Sequence, residues 1–545
     1  MKAREVAAVA CGLLTAGAAS PVHAQWSTDP SSHLLVGDAA GDQNQPKVRP
    51  TADGGCYVSY LSTQGTGWDT WLQKLDAAGV PQWAHNGVNV ADTNYSSTED
   101  YGVAVDADGN AMVAFRDDHT GITQIGLQKV APDGSLPWGP YGVTISTSPG
   151  APTTVNSPNV VVTSDGNYVV CYTRSATGAA AANRARYQKV DAAGNLLWGA
   201  EGITITPAVN GYTAAPMAAS DGGGVIVTMF TAGSFTVSRR VHAQKLDSAG
   251  VAQWNGGTPK VIQTTSTLQV GNFPQVISDG NDGMLVAWYD TGAFQCHVQH
   301  LAPDGTELFA VDGAVADITA ARQRTSPWVA YDSATDETYM FYATSNTTQT
   351  QFGLHAQLFD GAGVRQFTDN GLEIVGLAAS QTSFPRATLT SGGAIGSWFQ
   401  AQSATTGIVR ACKVTSGGAL EWTPSIVEVC TNDTTKTRLD AAVSTMGFTM
   451  LAFGNRDGTL PESTLNIAAA RINADGTLGN QAGCGDADFD GDGDVGTDLD
   501  IEAFFACLGG DCCATCGSAD FDGDGDTGTD LDIEAFFRVL GGGDC

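Results

Sequence analysis

The sequence has little positive charge. It contains 26 Lys and Arg residues against 57 Asp and Glu residues, which gives a formal net charge of −31. Proteins that bind nucleic acid or anionic membranes need clusters of Lys and Arg, and the sequence shows no such cluster. We therefore expect no nucleic acid partner, and we expect divalent cations to suit the chain better.

Long apolar runs are also scarce. No stretch after residue 24 approaches the twenty uncharged apolar residues that a transmembrane helix needs, so the sequence predicts no transmembrane anchor. The apolar run over residues 6–19 follows two basic residues and precedes Val22-His23-Ala24, a small-x-small cleavage pattern. This arrangement predicts a signal peptide over residues 1–24 and a secreted or cell-surface protein. A lipoprotein cleavage site at Cys11 is the alternative.

Catalytic motifs are missing as well. The sequence contains no HExxH, no GxSxG and no Walker loop, and the histidines after residue 24 form no recognisable cluster. His297 and His300 are three residues apart on a predicted strand, which points them to opposite faces and disfavours a shared metal ion. The sequence therefore favours a protein without catalytic activity.

What the sequence does contain is a repeat. A Gln-Lys-Leu signature or a variant of it starts at residues 73, 128, 188, 244, 299, 357, 412 and 470, at intervals of 55–60 residues. In the first seven copies a Gly follows, and an aromatic residue stands four positions after it: Trp83, Trp138, Trp198, Trp254, Phe309, Phe367 and Trp422. We interpret these aromatics as packing residues between repeats rather than as sugar-binding platforms. We expect the Gln to satisfy backbone groups at a turn.

Each repeat alternates apolar and polar residues and is punctuated by Gly and Asp, which predicts about four short strands joined by tight turns. The predicted fold class is therefore all-β, with an eight-bladed β-propeller of four-stranded antiparallel blades over residues 25–483. The eighth copy lacks its outer strand, whereas the segment HLLVG at 33–37 has no blade of its own. We predict that this N-terminal strand completes the last blade and closes the ring.

The chain ends on a duplicated acidic segment. Residues 487–510 and 519–542 are identical at 21 of 24 positions, and residues 484–545 hold 17 acidic side chains against the single Arg538. Acids at alternate positions followed by a Gly are typical of a calcium loop. The predicted ligands are Asp488, Asp490, Asp492 and Asp494 in the first copy, and Asp520, Asp522, Asp524 and Asp526 in the second. The sequence thus predicts two Ca²⁺ sites.

This segment resembles the bacterial type I dockerin family, in which two repeats of a calcium loop and a helix dock on a cohesin partner. The resemblance covers about residues 484–545 and implies a small α-helical domain that needs calcium to fold. In that family an Asp at position 12 closes each loop, whereas position 12 is Leu499 here. Matching the helix that follows implies a one-residue insertion. The closing ligands are then Asp500 and Asp532, with Glu502 and Glu534 as reserve candidates.

Cysteine positions favour an oxidised C-terminal domain, because six cysteines lie within a small, exported unit. The duplication favours pairing Cys484 with Cys512, Cys516 with Cys545, and Cys507 with Cys513. A zinc site at Cys513 and Cys516 is the alternative. In the propeller we expect Cys56 and Cys171 to be buried, and Cys412 and Cys430 to bridge neighbouring strands of one blade.

These features together predict a secreted, monomeric binding or surface-attachment protein. Its calcium-dependent C-terminal module would dock on an extracellular protein, for which a cohesin-like partner is one candidate, and its propeller would recognise an extracellular protein or a polysaccharide. The alternative is a propeller-fold polysaccharide hydrolase or lyase that carries the same tail and places paired carboxylates in the propeller tunnel. A structural surface protein without a small ligand is the third hypothesis.

Overall fold

The computed structural model describes residues 25–541 apart from several short segments. The segments outside the description are 64–66, 96–100, 147–152, 208, 234–236, 269–273, 457–463, 481–486, 514–515, 520 and 522–527. The predicted signal peptide also lies outside the described residues, as do the ligands predicted in the second calcium loop. No helix in the described part of the chain is long and apolar enough to cross a membrane.

Eight four-stranded antiparallel sheets make up the body of the protein, which confirms the predicted eight-bladed propeller. Blade one consists of β2 (Gln43–Pro50), β3 (Cys56–Ser62), β4 (Trp68–Leu75) and β5 (Val88–Tyr95), and blade two of β6 (Gly102–Val105), β7 (Ala111–Asp117), β8 (Gln124–Val130) and β9 (Val143–Thr144). Blade three consists of β10 (Thr154–Val162), β11 (Tyr168–Ser175), β12 (Asn183–Val190) and β13 (Ile203–Ile205), and blade four of β14 (Gly211–Ala219), β15 (Val225–Ala232), β16 (Val241–Leu246) and β17 (Lys260–Val261).

Blade five consists of β18 (Gln275–Ser278), β19 (Met284–Tyr289), β20 (Cys296–Leu301) and β21 (Ala314–Val315). Blade six consists of β22 (Arg322–Asp332), β23 (Glu337–Asn346), β24 (Phe352–Phe359) and β25 (Leu372–Ala378). Blade seven consists of β26 (Thr382–Thr390), β27 (Gly393–Ala401), β28 (Gly407–Thr415) and β29 (Val427–Thr434). Blade eight contains β30 (Lys436–Val443), β31 (Thr449–Arg456) and β32 (Leu465–Ile472), together with β1 (Leu34–Gly37). The first strand of each blade contacts the first strands of its two neighbours, so these eight strands surround the axis.

The two ends of the propeller sequence meet in blade eight. Strand β1 pairs antiparallel with β32, with Leu34 opposite Ala469 and Leu35 opposite Ala468. The closure predicted for residues 33–37 is therefore confirmed. Because the fourth strand of this blade comes from the N terminus, no blade is left incomplete, and the ring has no open sheet edge at the seam.

Neighbouring blades are joined by the repeated aromatic residue. The indole of Trp83 donates a hydrogen bond to the carbonyl oxygen of Pro132 in the next blade at 3.1 Å, and Trp254 does the same to Pro303 at 3.1 Å. Each aromatic lies against the repeated Gly of the following blade; a Cβ atom on Gly305 would lie 2.8 Å from the Trp254 ring. The Gly also has a positive φ, so no other residue fits there without strain. The aromatics are thus packing residues, as the sequence predicts.

The repeated Gln holds each aromatic in place. In blade three, Gln188 is fully buried, and its side-chain oxygen accepts hydrogen bonds from the backbone N–H groups of Lys189 and Trp198. Its side-chain nitrogen donates to the carbonyl oxygen of Gly199. The amide therefore satisfies the backbone of the hairpin that carries the aromatic, which confirms the structural role predicted for the Gln.

Trp26 completes this ring of aromatics, and the sequence analysis missed it. The eighth repeat has Asn480 where the others have an aromatic residue. Trp26 fills the gap from the N-terminal side, because its indole donates to the carbonyl oxygen of Ala77 at 2.9 Å and its ring lies against Gly79 of blade one. Trp26 is 3 % exposed. Closure thus uses an aromatic contact as well as strand pairing.

Histidines occupy the same position on the third strands of blades four, five and six. His242 contacts the hydroxyl groups of Tyr212 and Thr231, His355 contacts Thr344, and His297 pairs with Asp290 at 3.0 Å. His300 turns away from His297 and pairs with Asp279 at 3.0 Å. The histidines therefore belong to separate contacts, as expected from their spacing.

The five propeller cysteines, all within the described residues, form no disulfide bond. Cys56 and Cys171 are buried, as predicted, but the predicted bridge between Cys412 and Cys430 is wrong. Strand pairing places Cys430 opposite Val409, three residues before Cys412 on β28. Residues three apart on a strand face opposite sides of the sheet, so the two thiols belong to different core clusters.

We expect Trp26→Ala to destabilise the propeller by about 3–5 kcal/mol, because it removes a buried indole from the interface that closes the ring. The free energy of unfolding from urea denaturation measures the effect. Val251→Ala is the control, since Val251 is an exposed apolar residue on a turn and its loss should change little. An equal effect of the two substitutions would contradict the role of Trp26 in closure.

We also expect acid to destabilise the propeller through two histidines. Burial lowers the pKa of His242 from 6.5 to about 4 and that of His355 to about 3. Both are neutral in the folded protein, whereas the unfolded chain takes up protons below pH 6.5. The free energy of unfolding is therefore unaffected by these histidines above pH 6.5. As the pH falls from 6.5 towards 4, protonation of the unfolded chain lowers it by about 1.4 kcal/mol per pH unit for each His.

Urea denaturation of a His242→Gln/His355→Gln double variant between pH 7 and pH 4 tests this expectation. The variant should show a flatter decline of unfolding free energy with falling pH than the unsubstituted protein. His85→Gln serves as the control because His85 is largely exposed. An unchanged slope in the double variant would refute this explanation of acid sensitivity.

Candidate functional site

The first candidate site is the acidic loop of the first C-terminal repeat. The carboxylates of Asp488, Asp490 and Asp492 each place an oxygen atom within 4.8 Å of the others. Gly493 bends the loop with φ +97°, and its N–H donates to Asp488 at 3.1 Å. Desolvation and the neighbouring carboxylates raise the pKa of Asp490, so the loop brings like charges together against their repulsion. Asp494 follows as an exposed residue of the same loop.

The two predicted closing residues also cap helices. Helix α1 (Asp498–Leu508) begins after Thr497, whose side chain accepts from the backbone of Asp500, while the Asp500 carboxylate accepts from the backbone of Thr497 at 2.7 Å. This reciprocal capping box also links Asp500 to the calcium loop, because the N–H of Asp490 donates to it at 3.2 Å. Burial alone would raise the pKa of Asp500, but these N–H groups hold it below its usual value.

The second repeat has the same architecture. Helix α2 (Asp530–Leu540) begins after Thr529, and Asp532 accepts from the N–H groups of Thr529 and Phe521, both at 2.7 Å. The reserve ligands are placed differently: Glu502 and Glu534 are exposed on the helices, and Glu534 pairs with Arg538 at 2.6 Å. The ligand assignment for both loops remains a prediction.

Four phenylalanines form the core between the repeats. Phe489, Phe504, Phe521 and Phe536 are buried, and the rings of Phe504 and Phe536 stack at 4.1 Å. Helix α1 buries only part of its apolar surface, since Leu499 is 57 % exposed and Phe505 is 45 % exposed. The helical period explains this, because Leu499 lies on the side of α1 opposite Phe504 and Leu508. Phe537 is exposed in the corresponding place on α2, with its ring 6.2 Å from that of Phe505.

The disulfides of the tail differ from the predicted pairing. Cys507 pairs with Cys512, and Cys513 pairs with Cys516. A tight turn at Gly509-Gly510 ends α1 and brings the chain back, with the N–H of Asp511 bonded to the carbonyl oxygen of Ala506 at 2.9 Å. Cys512 thereby reaches Cys507, which excludes the expected pair of Cys507 with Cys513. Cys484 and Cys545 lie outside the described residues.

The second candidate site lies on the strands that surround the propeller axis. Most of these strands carry a bulge near their start, where a residue other than Gly adopts a positive φ: Gln45, Ser157, Ser326, Phe384 and Arg438. A proline follows the first four of these residues. Because Pro has no N–H to donate, an innermost strand tolerates it at a bulge. Such bulges redirect side chains, and here they do so around the propeller axis.

Charged side chains on these strands connect five successive blades on one side of the axis, from blade six through blade eight to blades one and two. Arg386 of blade seven stacks on Trp328 of blade six, with its Cζ atom 3.8 Å from the ring centroid. Asp440 of blade eight accepts a hydrogen bond from Arg49 of blade one at 2.9 Å and lies 3.8 Å from Arg386. Arg49 also donates to the carbonyl oxygen of Val103 in blade two. We call Arg49, Arg386, Arg438 and Asp440 the axial cluster.

Electrostatics couple the members of the axial cluster. Burial lowers the pKa of Arg386 to about 10; Asp440 opposes this, whereas the positive charges of Arg438 and Arg49 add to it. Burial would raise the pKa of Asp440, but Arg49 and Arg386 keep it below its usual value. Arg438 is exposed beside the ring of Phe384, with its Cζ atom 5.7 Å from the ring centroid. Two guanidinium groups, those of Arg49 and Arg386, thus flank the Asp440 carboxylate, and the positive charge of Arg438 acts on Arg386.

Sequence analysis missed the axial cluster. Its members are up to 391 residues apart in the chain, and only the ring geometry brings them together. One usable signal was present, namely the Pro that recurs near the start of most repeats and is followed at once by Lys47, Trp328 or Arg386 in three of them. The axial cluster contains one carboxylate, that of Asp440, which accepts hydrogen bonds from Arg49 and from the N–H of Val48.

A third concave feature lies at the outer edge of blade seven. It is an open cleft of about 550 Å³ lined by Pro30, Trp422, Pro424, Glu428 and Asp475, among others. The Trp422 indole donates to the carbonyl oxygen of Ala474 at 2.9 Å, just as Trp83, Trp198 and Trp254 donate to a carbonyl oxygen of the next blade. The cleft is therefore a consequence of the blade interface, and the axial cluster is the stronger candidate.

Comparison with known proteins relates the chain to other structures through its fold. No family model matches the sequence, and no curated protein matches it significantly. A polysaccharide lyase titled PL25 ulvan lyase, bound to -[GlcA(1-4)Rha3S]-, is similar over 73% of this chain and 95% of its own, with 12% identity and a TM-score of 0.42. A puromycin hydrolase is similar over 81% of this chain and 62% of its own, with 12% identity and a TM-score of 0.39.

A third similar structure is an α-L-arabinofuranosidase from Clostridium thermocellum ATCC 27405. It is similar over 49% of this chain and 92% of its own, with 14% identity and a TM-score of 0.30. At these identities the likeness concerns strand arrangement alone. The function of this chain has to be argued from its own residues.

Proposed function

We propose that this is an exported binding protein whose C-terminal repeats hold Ca²⁺ and attach the chain to an extracellular partner, while its propeller recognises a polysaccharide. The observation that carries the proposal is the cluster of Asp488, Asp490 and Asp492 at the start of a loop that leads directly into a capped helix. The three carboxylates repel each other there, and a bound divalent cation would remove that repulsion.

The residues present fit a calcium ion. Ca²⁺ takes six to eight oxygen ligands, and alternate acids with a bend at Gly493 provide a cradle of hard oxygen atoms. The backbone carbonyl of Asp494 and the carboxylate of Asp500, which accepts from the N–H of Asp490 in the loop, would be the further donors, and water would supply the remainder. Near identity of the second repeat extends the proposal to Asp520, Asp522, Asp524, Asp526 and Asp532.

Calcium would serve folding as well as attachment. The core of the repeat pair contains few residues beyond its four phenylalanines, and both acidic loops repel themselves without a cation. The metal-loaded pair would leave Phe505 and Phe537 exposed side by side, on helices whose other exposed residues are largely acidic. A protein with an apolar surface rimmed by basic residues would complement them, and a cohesin-like protein is the partner that the dockerin resemblance suggests.

An enzyme remains the alternative function of the propeller. Guanidinium groups such as those of Arg49 and Arg386 could neutralise the carboxylate of a uronic acid, as β-elimination from an acidic polysaccharide requires. We keep the binding function as the proposal because the axial cluster explains recognition of such a ligand without a base. Release of unsaturated products from an acidic polysaccharide would favour the lyase.

We expect an Asp488→Asn/Asp492→Asn variant to lose calcium affinity at one of two sites by at least about tenfold, because two charged ligands of the first loop are neutralised. Calorimetric titration of the metal-free, full-length protein with CaCl₂ measures both sites. The second site should keep its affinity, since its acids lie on the other repeat.

Asp511→Asn is the matched control, because Asp511 is an exposed acid just beyond α1 and outside the loop. It should titrate like the unsubstituted protein. Equal losses in the control and the loop variant would show that the overall negative charge, rather than a loop site, attracts calcium. No binding by the unsubstituted protein would refute the proposed calcium sites.

A further inference from the structure

We infer that the axial cluster binds the carboxylate or sulfate groups of an acidic polysaccharide, with Arg438, beside the ring of Phe384, as its accessible member. The inference rests on the proposed function, in which the propeller is the recognition part, and it names the ligand class and the site. A negatively charged ligand is unexpected for a chain with a net charge of −31. It therefore requires a local concentration of positive charge, which the propeller axis provides.

Arg438 is the residue most readily explained by a ligand. It occupies the bulge of β30 with φ 46°, a conformation that is unfavourable for an Arg side chain and is frequently found at functional sites. Its guanidinium group is exposed, and among the described residues no carboxylate pairs with it. Arg49 and Arg386, by contrast, share Asp440. Arg438 is thus the guanidinium group of the cluster that is available to an anion.

The cluster favours one side of the axis. The innermost strands of blades two to five, β6, β10, β14 and β18, contain no charged residue. Charges occur on the innermost strands of blades six, seven, eight and one. A ligand at the axis would therefore meet guanidinium groups on one side and neutral side chains on the other. That arrangement orients a polymer that carries acidic groups at intervals.

Aromatic rings beside the guanidinium groups point to a sugar polymer. Phe384 lies beside Arg438, and Trp328 lies under Arg386. A guanidinium fork binds carboxylate or sulfate oxygens in two parallel hydrogen bonds, and an aromatic edge or face packs against the apolar side of a pyranose ring. Nucleic acid also combines acidic groups with flat rings, but three Arg around an axis on a strongly acidic protein are too few to neutralise a continuous phosphate backbone.

Binding of defined polymers to the full-length protein tests the inference. The probes are dextran sulfate, polygalacturonate, uncharged dextran and single-stranded DNA, titrated by calorimetry in calcium-free buffer at low and high salt. We expect dextran sulfate or polygalacturonate to bind, dextran to bind much more weakly, and salt to weaken the charged interaction. The better of the two charged polymers distinguishes sulfate from carboxylate recognition.

Arg438→Gln should lower the affinity for the preferred polymer about tenfold, because one charge-assisted contact is lost from an exposed site. Arg438→Lys should restore part of that loss by keeping the charge. Arg365→Gln is the matched control, since Arg365 pairs with Asp369 at a turn outside the axis. This variant should bind the preferred polymer with the affinity of the unsubstituted protein. Circular dichroism spectra that match the unsubstituted protein exclude misfolding as the cause.

The remaining outcomes show whether the inference alone fails or the proposed function of the propeller fails with it. Binding of dextran as tightly as the charged polymers would overturn the inference and leave polysaccharide recognition standing. Equal losses in Arg438→Gln and Arg365→Gln would place the ligand outside the axial cluster. Single-stranded DNA that binds more tightly than either acidic polymer would overturn the glycan assignment. Absence of binding by all three polysaccharides would refute both the inference and the proposed role of the propeller.

Discussion

The contact between an aromatic ring and a glycine of the next blade is the constraint on which the rest of the structure depends. A blade alone exposes both of its faces, and it becomes stable when its neighbours cover them. The repeated aromatic residue spans this interface. Four of the Trp residues at this position also donate a hydrogen bond across it: Trp83, Trp198, Trp254 and Trp422. The ring closes only when the last interface is filled as well, and Trp26 fills it.

Closure and the candidate binding site meet in the same part of the ring. Blade eight is assembled from both ends of the propeller sequence, and it contributes Asp440 and Arg438 to the axial cluster. Asp440 accepts from Arg49 of blade one, so the ion pair crosses the seam that β1 and Trp26 close. Arg49 therefore stabilises the seam, Arg386 stabilises the neighbouring interface between blades seven and eight, and Arg438 is left exposed. Stability and recognition use different members of one group of charges.

The sequence was sufficient to predict the parts of the fold that repeat. A turn Gly and an aromatic at a constant distance predict the blades, because each copy meets the same packing requirement. The closing strand was predicted from a missing element in the last copy, yet Trp26 was overlooked because it precedes that strand. In the tail, alternate acids predict the loop at Asp488, whereas the buried face of α1 depends on how the second repeat packs against it.

Features that depend on distant parts of the chain could not be predicted in this way. Arg49 and Asp440 are 391 residues apart and become neighbours only through ring closure. The expected bridge of Cys412 and Cys430 does not form because strand register places the two residues on opposite faces of the sheet. The expected pair of Cys507 with Cys513 does not form because the turn after α1 brings Cys512 back to Cys507. Register and turn geometry decide such pairs, and neither is visible in residue spacing.

The most direct measurement of the central claim is the crystal structure of the full-length protein soaked with a sulfated or uronate-containing oligosaccharide. We expect the eight-bladed ring closed by Trp26 and β1, with an acidic group of the ligand in hydrogen-bonding distance of the Arg438 guanidinium and a sugar ring against Phe384. Ligand density confined to the cleft beside Trp422 or to the outer edges of the blades would contradict it.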